Sequence, residues 1–220
     1  SLLFGLEEHN DVRALDVLSH GLEGISFRLS YGGASEDVAL RSIGRHTAYH
    51  ALAAAVVMLA LDYSLAGAAE ALRRAPFEAL RLRVLAGRDG VTIIDDSYNS
   101  SPVAARAALT LLSEMPAGTQ HVAVLGDMRE LGQYSAEQHR QAAAAAVGLA
   151  DVLVTVGEEA LLIAEGARAA GIPAERVLAT TEPHAAIEFL KRQLRAGDYL
   201  LIKGSRALGL ETIVREFVAS

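Results

Sequence analysis

Cysteine is absent from the 220 residues. Disulfides, thiolate nucleophiles and cysteine-based metal sites are excluded together, in agreement with a reducing compartment. Clustered basic charge is missing too. The 20 Lys and Arg are scattered among 27 Asp and Glu, for a net charge of -7, so no cationic stripe awaits a phosphate backbone and nucleic acid is not an expected partner. Nor is there an apolar run of bilayer length. The longest uncharged apolar stretch, 47–61, contains Tyr49 and His50 and falls short of the roughly 20 residues a membrane span needs. It is expected to be a buried helix, and no membrane is expected as a partner. Residues 1–6 lead into Glu7 and Glu8 with no basic run ahead of them, so they do not read as a secretory leader and a cytoplasmic chain is expected. The chain opens on Ser within strand-and-loop sequence, which leads us to expect that its true amino terminus lies upstream.

What is present can bury a core: 51% of the residues are hydrophobic and 21% charged, enough for one or two globular domains. Ile25, Phe27 and Leu29 alternate with Ser26, Arg28 and Ser30, the period of a half-buried strand, and Val38 and Leu40 are expected to pair back beyond the Gly32-Gly33 turn. From Gly44 the period becomes helical, through Ala48, Ala51, Leu52, Ala55 and Leu59, and a second helix is expected over 65–74, ending before Pro76. After Pro76 short apolar runs at 91–94, 122–125, 152–156, 177–178 and 199–202 alternate with helical sequence. Such alternation predicts a Rossmann-like α/β fold, a mostly parallel sheet with crossover helices on both faces and ligands at the carboxyl ends of its strands.

The strand-exit loops are therefore where chemistry is sought. Asp95 and Asp96 end one apolar run ahead of Pro102; a carboxylate there can accept the two hydroxyls of a ribose, or can simply cap the following helix. The glycine-bracketed loop 126–132 presents Asp127, Arg129 and Glu130 at a second exit, beside the first if the two strands flank a switch point, though charged loops are often only solvated. Lys203-Gly204-Ser205-Arg206 precedes a helix expected near 208–217, so amides and two cations would face one point there, as an anion site or as a basic turn paired with nearby acids. His46 and His50 stand four apart on the first helix, but Thr47, Ala48 and Tyr49 between them lack the Glu of a zincin; a polar spot on a buried helix is expected rather than a metal site. No Gly-x-Gly-x-x-Gly follows a first strand, which sets aside a dinucleotide-dependent oxidoreductase.

Taken in order, Gly44-Arg45-His46-Thr47-Ala48-Tyr49-His50-Ala51, Arg81, Asp95-Asp96-Ser97-Tyr98-Asn99, the 125–132 segment and Lys203-Gly204-Ser205-Arg206 resemble the signature of the Mur ligase family, MurF type. The resemblance implies that residues 1–77 are the end of a P-loop-type ATP-binding central domain and 78–220 a C-terminal Rossmann-like domain. It further implies a six-stranded sheet with an additional strand near 82–85. The activity implied is ATP-dependent addition of D-Ala-D-Ala to UDP-MurNAc-tripeptide through an acyl phosphate, in peptidoglycan precursor synthesis. Matched position by position, Arg81, Asp96, His50 and Asn99 are nucleotide-binding, and Lys203, Ser205, Arg206, Asp127 and Glu130 line the substrate side. ATP and Mg2+ are the implied cofactors, with the metal held mainly by an upstream segment, and a monomer is expected.

Two departures stand out. His50 occupies a position where the family usually has an adenine-reading Asn, and Ala79-Leu80 replaces a Pro-Gly before the arginine. The phosphate loop, the magnesium-binding and carbamylated-lysine segments and the amino-terminal UDP-binding domain have no counterpart in this sequence. The isolated chain is therefore expected to be inactive, with 76–80 as the hinge of a closing domain. Two other readings remain: a Rossmann-like binding module without chemistry, and a MurE-like ligase, whose Tyr-Ala-His and Asp-Asn-Pro-Arg motifs are missing here.

Overall fold

The computed structural model describes residues 1–75 and 82–219. Arg81 and the 76–80 segment expected to be a hinge lie outside the described residues. The chain divides into two compact units, Ser1–Glu78 and Ala79–Ser220, taken here one at a time.

In the first unit four strands, β1 (Phe4–Gly5), β2 (Val12–Ser19), β3 (Ile25–Tyr31) and β4 (Ala34–Leu40), form a sheet in that order. β1 runs parallel to β2, and the other pairings are antiparallel. The expected strand pair is β3 and β4; β2 was not expected, and its own geometry explains why. Val12 and Ala14 face inward, but Asp16 takes φ 53° and the register with β3 shifts between Leu15 and Leu18, so the next inward residue is Val17. This bulge breaks the period-2 pattern by which a strand is recognised. Helices α1 (Thr47–Ala60) and α2 (Leu65–Arg74) pack Ala48, Ala51, Leu52, Ala55 and Leu72 against Val12, Ile25, Phe27, Leu29 and Val38. The Ser64 side chain caps α2 by accepting from the Gly67 amide at 3.1 Å. The expectation of a buried helix over 47–61 holds for one face. Only one stripe of α1 is covered, while Tyr49, Val57 and Leu61 are exposed, because a helix lying on a sheet hides a single face.

In the second unit the six strands are β5 (Arg83–Ala86), β6 (Thr92–Asp96), β7 (His121–Gly126), β8 (Val152–Val156), β9 (Val177–Thr180) and β10 (Tyr199–Lys203). Their order is β5-β6-β10-β7-β8-β9, parallel except for β5 on β6. The additional strand implied near 82–85 is β5. Helices α3 (Pro102–Ser113), α4 (Ser135–Ala146), α5 (Leu161–Ala169), α6 (Pro183–Gln193) and α7 (Glu211–Phe217) complete the unit. Crossovers of one hand dictate their faces: connections advancing along the sheet place α3, α4 and α5 together, and the returning one places α6, with α7, on the other side. Alternation along the strands follows. Ile93, Val122, Val124, Val154, Leu200 and Ile202 pack with α6 and α7, whereas Ile94, Ala123, Leu125, Leu153 and Leu201, equally buried, point the other way. The alanine run of α4 is packing surface. Ala142, Ala143 and Ala146 are buried, and a Cβ on Gly166 of α5 would lie 2.6 Å from that of Ala143, so the two helices approach closely because both positions are small.

Candidate functional site at the carboxyl edge of the sheet

β10 inserts between β6 and β7, so the sheet's switch point brings three strand ends side by side. Register places Lys203 opposite both Asp96 and Leu125. Adjacent residues of a strand point to opposite faces, so of Asp95 and Asp96 only Asp96 shares a face with Lys203. Lys203 Nζ donates to Asp96 Oδ2 at 2.6 Å and to the Asn99 carbonyl at 2.9 Å. Both partners are buried, at 2% and 7% side-chain exposure, which a cation and an anion tolerate only as a hydrogen-bonded pair. Asp95 instead turns the chain, with Oδ1 accepting from the Ser97 amide at 3.1 Å and hydroxyl at 2.6 Å. The helix cap that an aspartate might have supplied is Ser101, which accepts from the Ala104 amide at 3.3 Å ahead of Pro102.

Asp127 is 2% exposed. Its Oδ1 accepts from the Glu159 and Ala160 amides at 3.1 and 2.8 Å, and its Oδ2 lies 3.5 Å from Arg129 Nη2. It thus ties the exit of β7 to that of β8. Gly157, at φ 125°, makes room: a Cβ there would sit 2.2 Å from the Asp127 carboxylate. The Asp127 carbonyl accepts from both the amide and the hydroxyl of Ser205, at 3.2 and 2.8 Å, and the Ser205 hydroxyl accepts from the Arg129 amide at 3.2 Å. Gly126 and Gly204 allow these backbones to meet, since a Cβ on Gly204 would lie 3.1 Å from the Gly126 Cα.

Of the expected residues, those of the three strand exits lie together at this edge. Asp96, Asp127, Lys203 and Ser205 form a buried frame, while Tyr98, Asn99, Arg129, Glu130 and Arg206 are exposed around it. The Arg206 guanidinium lies 5.6 Å from the centre of the Tyr98 ring. Of the two readings of 203–206, an anion site or a basic turn paired with nearby acids, Lys203 follows the second: it is paired with Asp96 beneath the surface. The chain past Arg206 forms a 3-10 turn, Arg206–Leu208, before α7 begins at Glu211. His50 belongs to the first unit and is exposed; its ring centre is 6.1 Å from that of His46, edge to face. Among the described residues no group of three His, Cys, Asp or Glu can hold a metal ion. Sequence reasoning missed His139, a fully buried imidazole within the alanine-rich helix α4; its signal was a Ser four residues earlier at the helix start.

Charged loops thus converge where the strand order of this Rossmann-like α/β domain reverses, and residues 80–206 match the family model of the Mur ligase, glutamate ligase domain. The chain belongs to the Mur ligase family. Its similarity is to the MurF type, as the resemblance implied: it is 30% identical to the UDP-N-acetylmuramoyl-tripeptide--D-alanyl-D-alanine ligase of Bacillus subtilis over 99% of this chain and 47% of that one. A crystal structure of MurF from Acinetobacter baumannii superposes with TM-score 0.85 at 29% identity, over 98% of this chain and 46% of that one. The MurF ligase of Thermotoga maritima in complex with ADP shares the fold, with TM-score 0.76 at 24% identity over 97% of this chain and 47% of that one. The chain spans about half the length of the curated relatives it matches.

Proposed function

We propose that this chain is the C-terminal portion of a cytoplasmic, ATP-dependent ligase that adds D-Ala-D-Ala to UDP-MurNAc-tripeptide in peptidoglycan precursor synthesis. The observation that carries the reading is the convergence of the β6, β10 and β7 exits around the Asp96–Lys203 pair. Residues 1–77 are proposed to end the central domain and 78–220 to form the C-terminal one.

The residues present suit a nucleotide's sugar better than a metal. The ion pair fixes Asp96 at a strand end, with Oδ2 committed to Lys203, so Oδ1 is the oxygen offered to a ribose hydroxyl. ATP supplies the phosphoryl group that activates the tripeptide carboxylate; magnesium belongs to the upstream segment. Asn99 and Arg81 are assigned to the nucleotide, and His50 to adenine with a single hydrogen bond. Ser205 and Asp127 brace the loops that carry Arg206, Arg129 and Glu130 toward the acceptor and the transferred phosphoryl group, where the two guanidinium groups would offset developing negative charge. The ligase alone is proposed to be monomeric.

Lacking a phosphate loop, the 220-residue chain is expected to show no ATP- and D-Ala-D-Ala-dependent turnover, whereas the protein extended upstream should show it. In the extended protein Asp96→Ala is expected to raise the KM for ATP with the fold intact. An unchanged KM would remove the ribose assignment, and turnover by the 220 residues alone would overturn the claim of inactivity.

A further inference from the structure

His139 is fully buried, yet both of its ring nitrogens are engaged. Nε2 lies 3.0 Å from the Met128 amide, which can only donate, so Nε2 must accept. Nδ1 lies 2.8 Å from the Ser135 carbonyl, which can only accept, so Nδ1 must carry the proton. The partners thus select one neutral tautomer; a proton on Nε2 would set N–H against N–H. Around this ring a circuit closes: the Ser135 hydroxyl is bonded to Glu159 Oε2, which itself lies 3.6 Å from Nδ1. The Glu159 amide in turn donates to Asp127, the neighbour of Met128. The loop so held is one that needs holding, because Glu130 adopts φ 67°, a left-handed conformation uncommon for a residue with a side chain.

We propose that His139, as its Nδ1-protonated tautomer, is a positioning residue that fixes the 126–132 loop through the Met128 amide and so sets where Arg129 and Glu130 stand at the site. Its consequence for catalysis rests on the ligase reading above; the loop-holding itself does not. Glutamine can place an acceptor where Nε2 is, whereas asparagine can replace only Nδ1, so the two variants separate the proposed bond from mere occupancy of the space.

The first test uses nitrogen-15 spectra of the 220-residue chain at neutral pH: Nδ1 of His139 should be protonated and Nε2 unprotonated. Met128 amide exchange should stay near wild type in His139→Gln and quicken about tenfold or more in His139→Asn, as for a lost hydrogen bond. In the extended enzyme, His139→Asn should lower kcat several-fold at little change in the KM for ATP, and His139→Gln should restore it. Protonated Nε2, or equal Met128 exchange in the two variants, would overturn the proposal even if ligase activity is confirmed. Should His139→Asn fail to fold, the wild-type tautomer and the Gln variant still decide. Absence of ligase activity with the expected spectra would count against the functional reading alone.

Discussion

Two buried aspartates at neighbouring strand exits have their carboxylates satisfied in different ways. Asp96 is matched by a full cation, Lys203, reaching across from the adjacent strand; Asp127 is matched by backbone amides at the β8–α5 turn, with Arg129 half in solvent at 3.5 Å. The first arrangement depends on a single buried partner and fails if that partner is lost. The second spreads the charge over dipoles that the fold already holds in place, so it is less exposed to any one side chain. Charge at this edge is thus held by two independent devices, one spanning β6 and β10, the other β7 and β8.

The comparison is broken most severely by Lys203→Met, which leaves a carboxylate buried and unpaired and is expected to cost about 3–5 kcal/mol in urea denaturation. Combining it with Asp96→Leu should recover most of that loss; a double variant as unstable as the single one would mean the pair is not the source of the effect. Next in size is Gly157→Ala, where a Cβ would meet the Asp127 carboxylate at 2.2 Å on a backbone at φ 125°. We expect a loss of about 2–4 kcal/mol from strain and displacement together, with the Glu159 and Ala160 amide signals shifting as Asp127 is pushed off them. Asp127→Ala should cost about 1–3 kcal/mol by stranding the Ala160 amide, and Asp127→Asn less, since an amide oxygen still accepts. A penalty for Asn equal to that for Ala would show that charge, rather than hydrogen bonding, matters there.

The smallest effect is expected at the exposed counterpart of the buried pair. Lys191 on α6 bonds Glu216 on α7 and Glu188 on its own helix, at 3.0 and 3.1 Å. The hydrogen bond to Lys191 holds the Glu216 carboxyl below its ordinary pKa, and those to Glu216 and Glu188 hold the Lys191 ammonium above its own. Any stability from Glu216 is therefore present above the usual carboxylate range and lost as pH falls through the lowered value. That from Lys191 is present below the usual lysine range and lost as pH rises through the raised one. Because solvent and salt screen an exposed pair, Lys191→Ala should leave the Tm at neutral pH and physiological salt nearly unchanged; a large drop would contradict the contrast with Lys203.

Much of this was legible in the letters. The five apolar runs after Pro76 became strands within a residue or two of their expected bounds, since fully buried parallel strands read as continuous apolar segments. The 65–74 helix is α2. β2 escaped because a bulge hides its alternation, and β5 entered only through resemblance, its residues being largely exposed. At the site, the residue types could be chosen from the exit loops but not their duties. Nothing in two consecutive aspartates says which one meets a lysine 107 positions away, and nothing in a solitary histidine of an alanine helix says that it holds another loop.

Local order, periodicity and loop chemistry are set by neighbours along the chain, so the alternating architecture and the family resemblance could be read from the sequence itself. The slot of β10 between β6 and β7, the pairing of Lys203 with Asp96, and the employment of Asp127 as a brace depend on strands brought together across the sheet. Their energies exist only once water has been excluded from those contacts, and that is decided by tertiary packing alone.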